Sequence, residues 1–125
     1  MYDSYQYQKD AMRTNDYKSY KRMLDNSIDL KQKYGIDIFQ LTNGCLGLSG
    51  EVGEFNDEVK KIIFHNKEFD KETLILELGN ILWYIALTCE TLHISMDMLM
   101  ASNIGKLRSR YPSGFDTDRS NNRKV

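Results

Sequence analysis

The sequence predicts an all-α, four-helix-bundle-like fold that is completed by oligomerisation. Apolar residues recur at helical spacing through most of the chain. There is a single proline, Pro112, and no alternating β-branched run of the kind that forms strands. One predicted helix is apolar nearly all round, and a chain of 125 residues is too short to surround it. We therefore expect several subunits to complete one core together.

The first half of the chain contains two predicted helices. The first covers about residues 5–14, whereas residues 17–35 are amphipathic only in part and show no clear helix boundaries. The second main helix runs over about residues 38–65 and contains four glycines at steps of three: Gly44, Gly47, Gly50 and Gly53. Because a three-residue step drifts around a helix, these glycines predict close approach of several neighbours.

The third and fourth main helices have recognisable starts. Asp70 is a good N-cap for a helix that ends near residue 92, and Ser95 is the cap of the next one. The fourth helix should stop before Pro112, because the residue before a proline disfavours helical backbone. Residues 113–125 form a polar tail, which we expect to be extended, docked or loose.

Composition and charge exclude several kinds of protein. The net charge is -1, from 17 basic and 18 acidic residues, so no overall field attracts nucleic acid or an anionic membrane. The longest apolar run, residues 81–87, is too short for a membrane span, and the start lacks the pattern of a secretion signal. We expect one cytoplasmic domain over residues 1–125, with Cys45 and Cys89 as buried apolar residues.

Polar side chains with oxygen atoms cluster on two of the helices. Glu51, Glu54 and Glu58 stand at i, i+3 and i+7 on one face of the second helix. Glu77 and Asn80 interrupt the apolar third helix, where an unpaired carboxylate would be costly to bury. Oxygen ligands from two facing helices suit Mg²⁺, which also binds substrate phosphates. The alternative is an ordinary solvated acidic face.

A basic face follows on the fourth helix. Asn103, Lys106 and Arg110 again stand at i, i+3 and i+7. A lysine ammonium and an arginine guanidinium both suit phosphate oxygens. A solvated basic face has the same spacing, so the pattern alone leaves both interpretations open.

Together these segments resemble the MazG-like all-α nucleoside triphosphate pyrophosphohydrolases. The matching text is Tyr7-Gln8 with Ala11-Met12-Arg13-Thr14, GLSGEVGEFNDEVKKIIFHN from Gly47, ELGNILWYIA from Glu77, and NIGKLRSRYPSGF from Asn103. These four blocks keep the family's order, and the resemblance covers most of the chain apart from about residues 16–34. The family pattern is Glu-x-x-Glu followed on the next helix by Glu-x-x-Asp. Glu51, Glu54 and Glu77 occupy three of these four positions.

The fourth position is Asn80, where the family has aspartate. An asparagine still offers a carbonyl oxygen, but it removes one negative charge and cannot act as a base. We expect metal affinity or turnover to fall by at least about 10-fold to 100-fold. Natural adaptation, loss of activity and deliberate inactivation are all compatible with this change.

The resemblance implies a MazG-type fold and hydrolysis of ribo- and deoxyribonucleoside triphosphates to monophosphate and pyrophosphate, as house-cleaning of nucleotide pools. The implied metal ligands are Glu51, Glu54, Glu77 and Asn80, with Mg²⁺, or Mn²⁺ in its place, as cofactor. Glu51 or Glu54 would orient the attacking water, while Asn103, Lys106 and Arg110 would bind phosphates. The expected partners are the triphosphate substrate and further copies of the chain, in a homodimer or homotetramer, with neither nucleic acid nor membrane.

Three other functions are compatible with parts of the sequence. A catalytically silent sensor of the same fold would bind nucleotide or metal without turnover. A carboxylate-bridged di-iron bundle would use Glu90-x-x-His93, but no second Glu-x-x-His exists. A structural module would carry the same acids as surface charge. The candidates for nucleobase contact, which core packing explains equally well, are Phe64, His65, Trp83 and Tyr84.

Overall fold

The computed structural model describes residue 1 and residues 3–122, which form six α-helices and no β-strand. These are α1 (Ser4–Met12), α2 (Ser19–Tyr34), α3 (Ile38–Phe64), α4 (Lys71–Thr91), α5 (Met96–Arg110) and α6 (Thr117–Asn121). The predicted all-α class is confirmed. The chain divides into two compact units, Met1–Ile38 and Phe39–Val125.

The first unit contains α1 and α2. Asp3 caps α1 by accepting a hydrogen bond from the Gln6 N–H at 2.7 Å. Helix α2 fills the segment whose boundaries the sequence did not reveal, because Lys18 at its start makes no side-chain cap bond. Its end is clearer, since Gly35 takes the left-handed conformation that glycine tolerates best, with φ of 69°.

The second unit contains α3 to α6, and the predicted caps of its helices are confirmed. The Asp70 carboxylate accepts a hydrogen bond from the Thr73 N–H, and Ser95 Oγ accepts one from the Met98 N–H, both at 3.1 Å. Each satisfies a backbone donor that the first helical turn leaves unpaired.

The polar tail, predicted to be extended, docked or loose, contains a short helix that the sequence did not predict. Asp116 caps the short helix α6 by accepting a hydrogen bond from the Arg119 N–H at 2.9 Å. The Arg119 guanidinium also donates to the Arg110 carbonyl at 3.3 Å, which ties α6 to the end of α5. Residues 123–125 of the predicted tail lie outside the described residues.

The Asp70 cap is expected to give the protein a pH-dependent stability. Hydrogen bonds from the Thr73 hydroxyl and N–H hold the Asp70 pKa below its ordinary value of 3.8. The folded state therefore favours the carboxylate, and this contribution is complete above pH 3.8 and lost as the pH falls through the lower folded-state pKa. The neutral cap in Asp70→Ser lacks this dependence. Its Tm should lie below that of the native chain at neutral pH, and the gap should close below pH 3.8; a constant gap would contradict the assignment.

Helix α4 is mostly uncovered by the described part of its own chain. Cys89 and Thr91 are its buried residues, whereas Leu76 and Trp83 are 69% and 58% exposed. The sequence predicted burial on several sides, and this chain alone does not provide it. By length and composition, α4 would also be long and apolar enough to cross a membrane. Cys45 was predicted to be buried, but it is exposed on α3. It follows Gly44, which lies close to α4.

Helices α3 and α4 approach closely at two glycines. A Cβ atom on Gly44 would lie 2.5 Å from Thr88 Oγ1, and one on Gly47 would lie 2.0 Å from the Tyr84 ring. Gly50 and Gly53 have open space where a Cβ would be. The predicted close approach therefore holds for the first two glycines and is wrong for the other two in this chain.

This difference predicts opposite effects for two identical substitutions in α3. Gly47→Ala forces a methyl group into the Tyr84 ring, and such overpacking costs about 1–3 kcal/mol. Gly50→Ala meets no neighbour and should stabilise the helix by about 0.5–1 kcal/mol. Chemical denaturation of the two variants measures both effects. Equal destabilisation would mean that the Gly50 face is covered in the assembled protein.

Candidate active site

The contacts between α3 and α4 define an antiparallel register. Opposing residues are Gln40 with Thr91, joined by a 3.4 Å hydrogen bond, Gly44 with Thr88, and Gly47 with Tyr84. The seven-residue step from Gln40 to Gly47 on α3 thus matches the seven-residue step backwards from Thr91 to Tyr84 on α4. Continued by one turn, this register predicts that Glu51 faces Asn80, and continued by a further turn it predicts that Glu54 faces Glu77. The two acidic segments that the sequence singled out thus belong to facing positions.

A pocket lies where this register predicts the site. It has a volume of about 360 Å³ and is lined by Glu51, Asn80, Trp83 and Tyr84. This volume lies in the range of about 300–1,000 Å³ typical of small-molecule sites. The Asn80 amide donates to Glu77 Oε2 at 3.4 Å, so Glu77 joins the group through Asn80. Two helices therefore contribute carboxylate and amide oxygens to one place.

Glu58 differs from the other acidic residues of α3. Its side chain is only 16% exposed and forms an ion pair with Lys67 in the loop after α3. The Lys61 ammonium lies 4.0 Å away on its other side. Sequence spacing put Glu58 on the same face as Glu51 and Glu54, but two lysines already compensate its charge. Only the path of the loop that carries Lys67 distinguishes it, and that path has no local sequence signal.

A second ion-pair group lies beside Glu58 on α3. Lys60 and Lys61 both bind Asp57, at 3.3 Å and 2.7 Å. The hydrogen bond from Lys61 holds the Asp57 pKa below its ordinary range, and the same bond raises the pKa of Lys61. Glu54 also raises the Lys61 pKa, through its negative charge. Lys61 is therefore held in its protonated form beside Asp57 and Glu58.

The donor set fits a hard divalent cation by its chemistry. Glu51, Glu77 and Asn80 offer oxygen atoms, which Mg²⁺ prefers, and Glu54 follows on the same face of α3. Among the described residues no three acidic, histidine or cysteine side chains already converge as a metal cluster. A bound cation would therefore draw the flexible glutamate side chains of α3 towards Glu77 and Asn80.

The predicted phosphate-binding residues do not line this pocket. Asn103 and Lys106 are exposed on α5, while Arg110 is half-buried at its end. Their spacing puts them on one face, as the sequence indicated. Helix α5 packs against α4, which carries Glu77 and Asn80. The three side chains thus belong to a helix that contacts α4, outside the lining of the pocket.

Two of the four aromatic candidates lie in the pocket. The Trp83 and Tyr84 rings meet edge to face, with ring centres 4.9 Å apart at an angle of 83°. Phe64 and His65, at the far end of α3, do not line it.

The di-iron alternative loses its geometric basis. Helix α4 ends at Thr91, and His93 has a left-handed backbone with φ of 58°. Glu90 and His93 therefore do not share one helical face. Such a site needs a helical Glu-x-x-His pair, which the fold does not provide.

Fold and pocket together define an all-α domain with a carboxylate and amide site between two antiparallel helices. The model of the MazG nucleotide pyrophosphohydrolase domain matches residues 39–115, more than half of the chain. The chain belongs to this family. It is also 32% identical over 82 residues to the Gene 37 protein of Mycobacterium phage L5, covering 62% of this chain and 72% of that protein. No solved structure matches it significantly.

Proposed function

We propose that the protein hydrolyses ribo- or deoxyribonucleoside triphosphates to the monophosphate and pyrophosphate in a Mg²⁺-dependent reaction, and so removes unwanted nucleotides. The main support is that Glu51 and Asn80, from facing helices, line one pocket, and that the Asn80 amide is hydrogen-bonded to Glu77. Membership of the MazG family gives the class of reaction. The role of Asn80 is to weaken this activity, because it replaces a charged ligand by a neutral one.

In the proposed reaction Glu51, Glu54, Glu77 and Asn80 would hold the cation, Mg²⁺ or Mn²⁺. When bound, the cation supplies charge neutralisation for the triphosphate and lowers the pKa of a water. Glu51, which lines the pocket, or Glu54 orients the attacking water and accepts its proton. Asn80 cannot accept a proton, so it only contributes its amide oxygen. The water attacks the α-phosphorus, and the bond to the leaving pyrophosphate breaks.

Lys106, with Asn103 and Arg110, is proposed to steady the phosphates. These residues form one face of α5, which packs against the helix that bears Glu77 and Asn80. A lysine point charge and an arginine fork both stabilise the negative charge that builds up on the leaving pyrophosphate.

A homodimer or homotetramer is the proposed working form, in the cytoplasm and without nucleic acid or membrane. Leu76, Leu78 and Leu82 on α4 are each more than half exposed in the single chain. A second copy would cover them better than a bilayer, because Glu77 and Asn80 lie in the middle of the same helix. Light scattering after size exclusion tests this; a monomer at micromolar concentration contradicts it.

The function is tested with purified protein, Mg²⁺ and a panel of ribo- and deoxyribonucleoside triphosphates. Released monophosphate and pyrophosphate are quantified separately, with a chelated control. Equal amounts of both products, lost on chelation, are expected. Free phosphate with a diphosphate product would contradict the proposed bond cleavage.

A catalytically silent sensor is the second candidate, and Asn80 is the observation that favours it. Tight nucleotide binding without turnover, in a chain whose Asn80→Asp variant is active, would establish it. Inactivity of both chains on the whole panel would remove the enzymatic function altogether.

A further inference from the structure

The pocket joins two kinds of surface that a nucleotide needs. One wall, made by Glu51 and Asn80, is polar, and the other is aromatic, made by Trp83 and Tyr84. Trp83 follows Asn80 by three residues on α4, which is slightly less than one helical turn, or roughly 4.5 Å along the axis. The phosphate end and the base end of a nucleotide are separated by a sugar, so a turn of helix suits this span.

The two rings are held differently. Tyr84 lies against the backbone of Gly47, so closely that a Cβ atom there would be 2.0 Å from the ring. Its edge-to-face contact with Trp83 then supports the indole from one side. Trp83 itself is 58% exposed, so a large part of the indole is available to a ligand. A fixed tyrosine supporting an accessible indole is a suitable platform for a flat ring.

We propose that the Trp83 indole stacks on the nucleobase of the bound triphosphate, with Tyr84 as its positioning residue. This inference rests on the proposed function and adds the means of base recognition. Stacking accepts every base, because each has a π-face, and it favours larger ring systems. The site should therefore bind nucleoside triphosphates in preference to inorganic tripolyphosphate, and purines modestly better than pyrimidines.

The single tryptophan provides a direct measurement, because all indole emission of this chain comes from Trp83. ATP, CTP and inorganic tripolyphosphate are titrated with Mg²⁺, and free N-acetyltryptophanamide corrects for absorption by the bases. We expect saturable quenching by both nucleotides, stronger binding of ATP and no quenching by tripolyphosphate. Emission that stays unquenched at saturating nucleotide would overturn the proposal. If the emission maximum also shifts to the blue as the protein concentration rises, a second copy covers Trp83.

Variants separate stacking from a general loss of structure. Trp83→Ala should raise KM for nucleoside triphosphates about tenfold and leave inhibition by tripolyphosphate unchanged, whereas Trp83→Phe should recover most of the difference. Phe64→Leu, an exposed aromatic outside the pocket, is the matched control and should resemble the native chain. Equal losses for tripolyphosphate and nucleotides in Trp83→Ala would overturn the proposal.

The outcome also distinguishes this inference from the proposed function. Hydrolysis without quenching, and with unchanged KM in Trp83→Ala, overturns stacking alone. Quenching without hydrolysis, in the native chain and in Asn80→Asp, keeps stacking and overturns catalysis. Absence of both quenching and hydrolysis overturns the two together.

Discussion

Asn80→Asp is expected to raise pyrophosphate release by about 10-fold to 100-fold at saturating Mg²⁺. The native Asn80 amide donates to Glu77 at 3.4 Å, a bond that stabilises the Glu77 carboxylate without any cation. An aspartate in its place sets a second carboxylate beside Glu77. Like charges at this distance repel each other until a cation lies between them. The substitution therefore lowers the stability of the metal-free protein and raises its affinity for the metal.

Two measurements should move in opposite directions in this variant. Without divalent ions its Tm should fall below that of the native chain, and Mg²⁺ should raise its Tm by more, because ligand binding to the folded state adds stability. Asn80→Ala is the control, since it removes both the hydrogen bond and the amide oxygen and should not gain activity. An Asn80→Asp variant with native turnover and native response to Mg²⁺ would show that this position is not a metal ligand.

Local rules predicted α4 and α5 because their boundaries carry their own chemistry. Asp70 and Ser95 accept the hydrogen bonds that their residue types predict, and α5 ends two residues before Pro112. The sequence did not predict the bounds of α2, because Lys18 at its start makes no side-chain cap. Helix α6 escaped because its cap, Asp116, opens a helix of only five residues, too short for an apolar period.

The sequence predicts which residues of the candidate site share a helix face, but it does not predict which residues of the other helix lie opposite them. The i, i+3 spacing of Glu51 and Glu54, and of Glu77 and Asn80, indicates which side chains share a face. The register between α3 and α4 depends on the close contacts of Gly44 and Gly47. The sequence of either helix alone does not predict these contacts. The ion pair between Glu58 and Lys67 depends on a loop, so spacing alone does not distinguish Glu58 from Glu51 and Glu54.

The different surroundings of Glu51 and Glu58 predict the second large effect, a loss of turnover when the Glu51 charge is removed. Glu51→Gln keeps the shape of the side chain and removes its charge from the pocket that it lines with Asn80. If Glu51 binds the cation and orients the water, both functions are lost together, and turnover should fall by at least about 100-fold. Mg²⁺ affinity, measured by calorimetry without nucleotide, should fall as well. The Asn80→Asp background gives the assay enough signal.

Glu58→Gln is the matched control for this prediction. It makes the same chemical change on the same face of α3, two turns further along, where Lys67 and Lys61 already compensate the charge. Its main cost is the ion pair with Lys67, so a lower Tm with nearly native Mg²⁺ affinity and turnover is expected. Equal loss of activity in the two variants would mean that the face acts through its summed negative charge. A loss confined to Glu51→Gln would assign the chemistry to the turn that faces Asn80, where the two helices share the pocket.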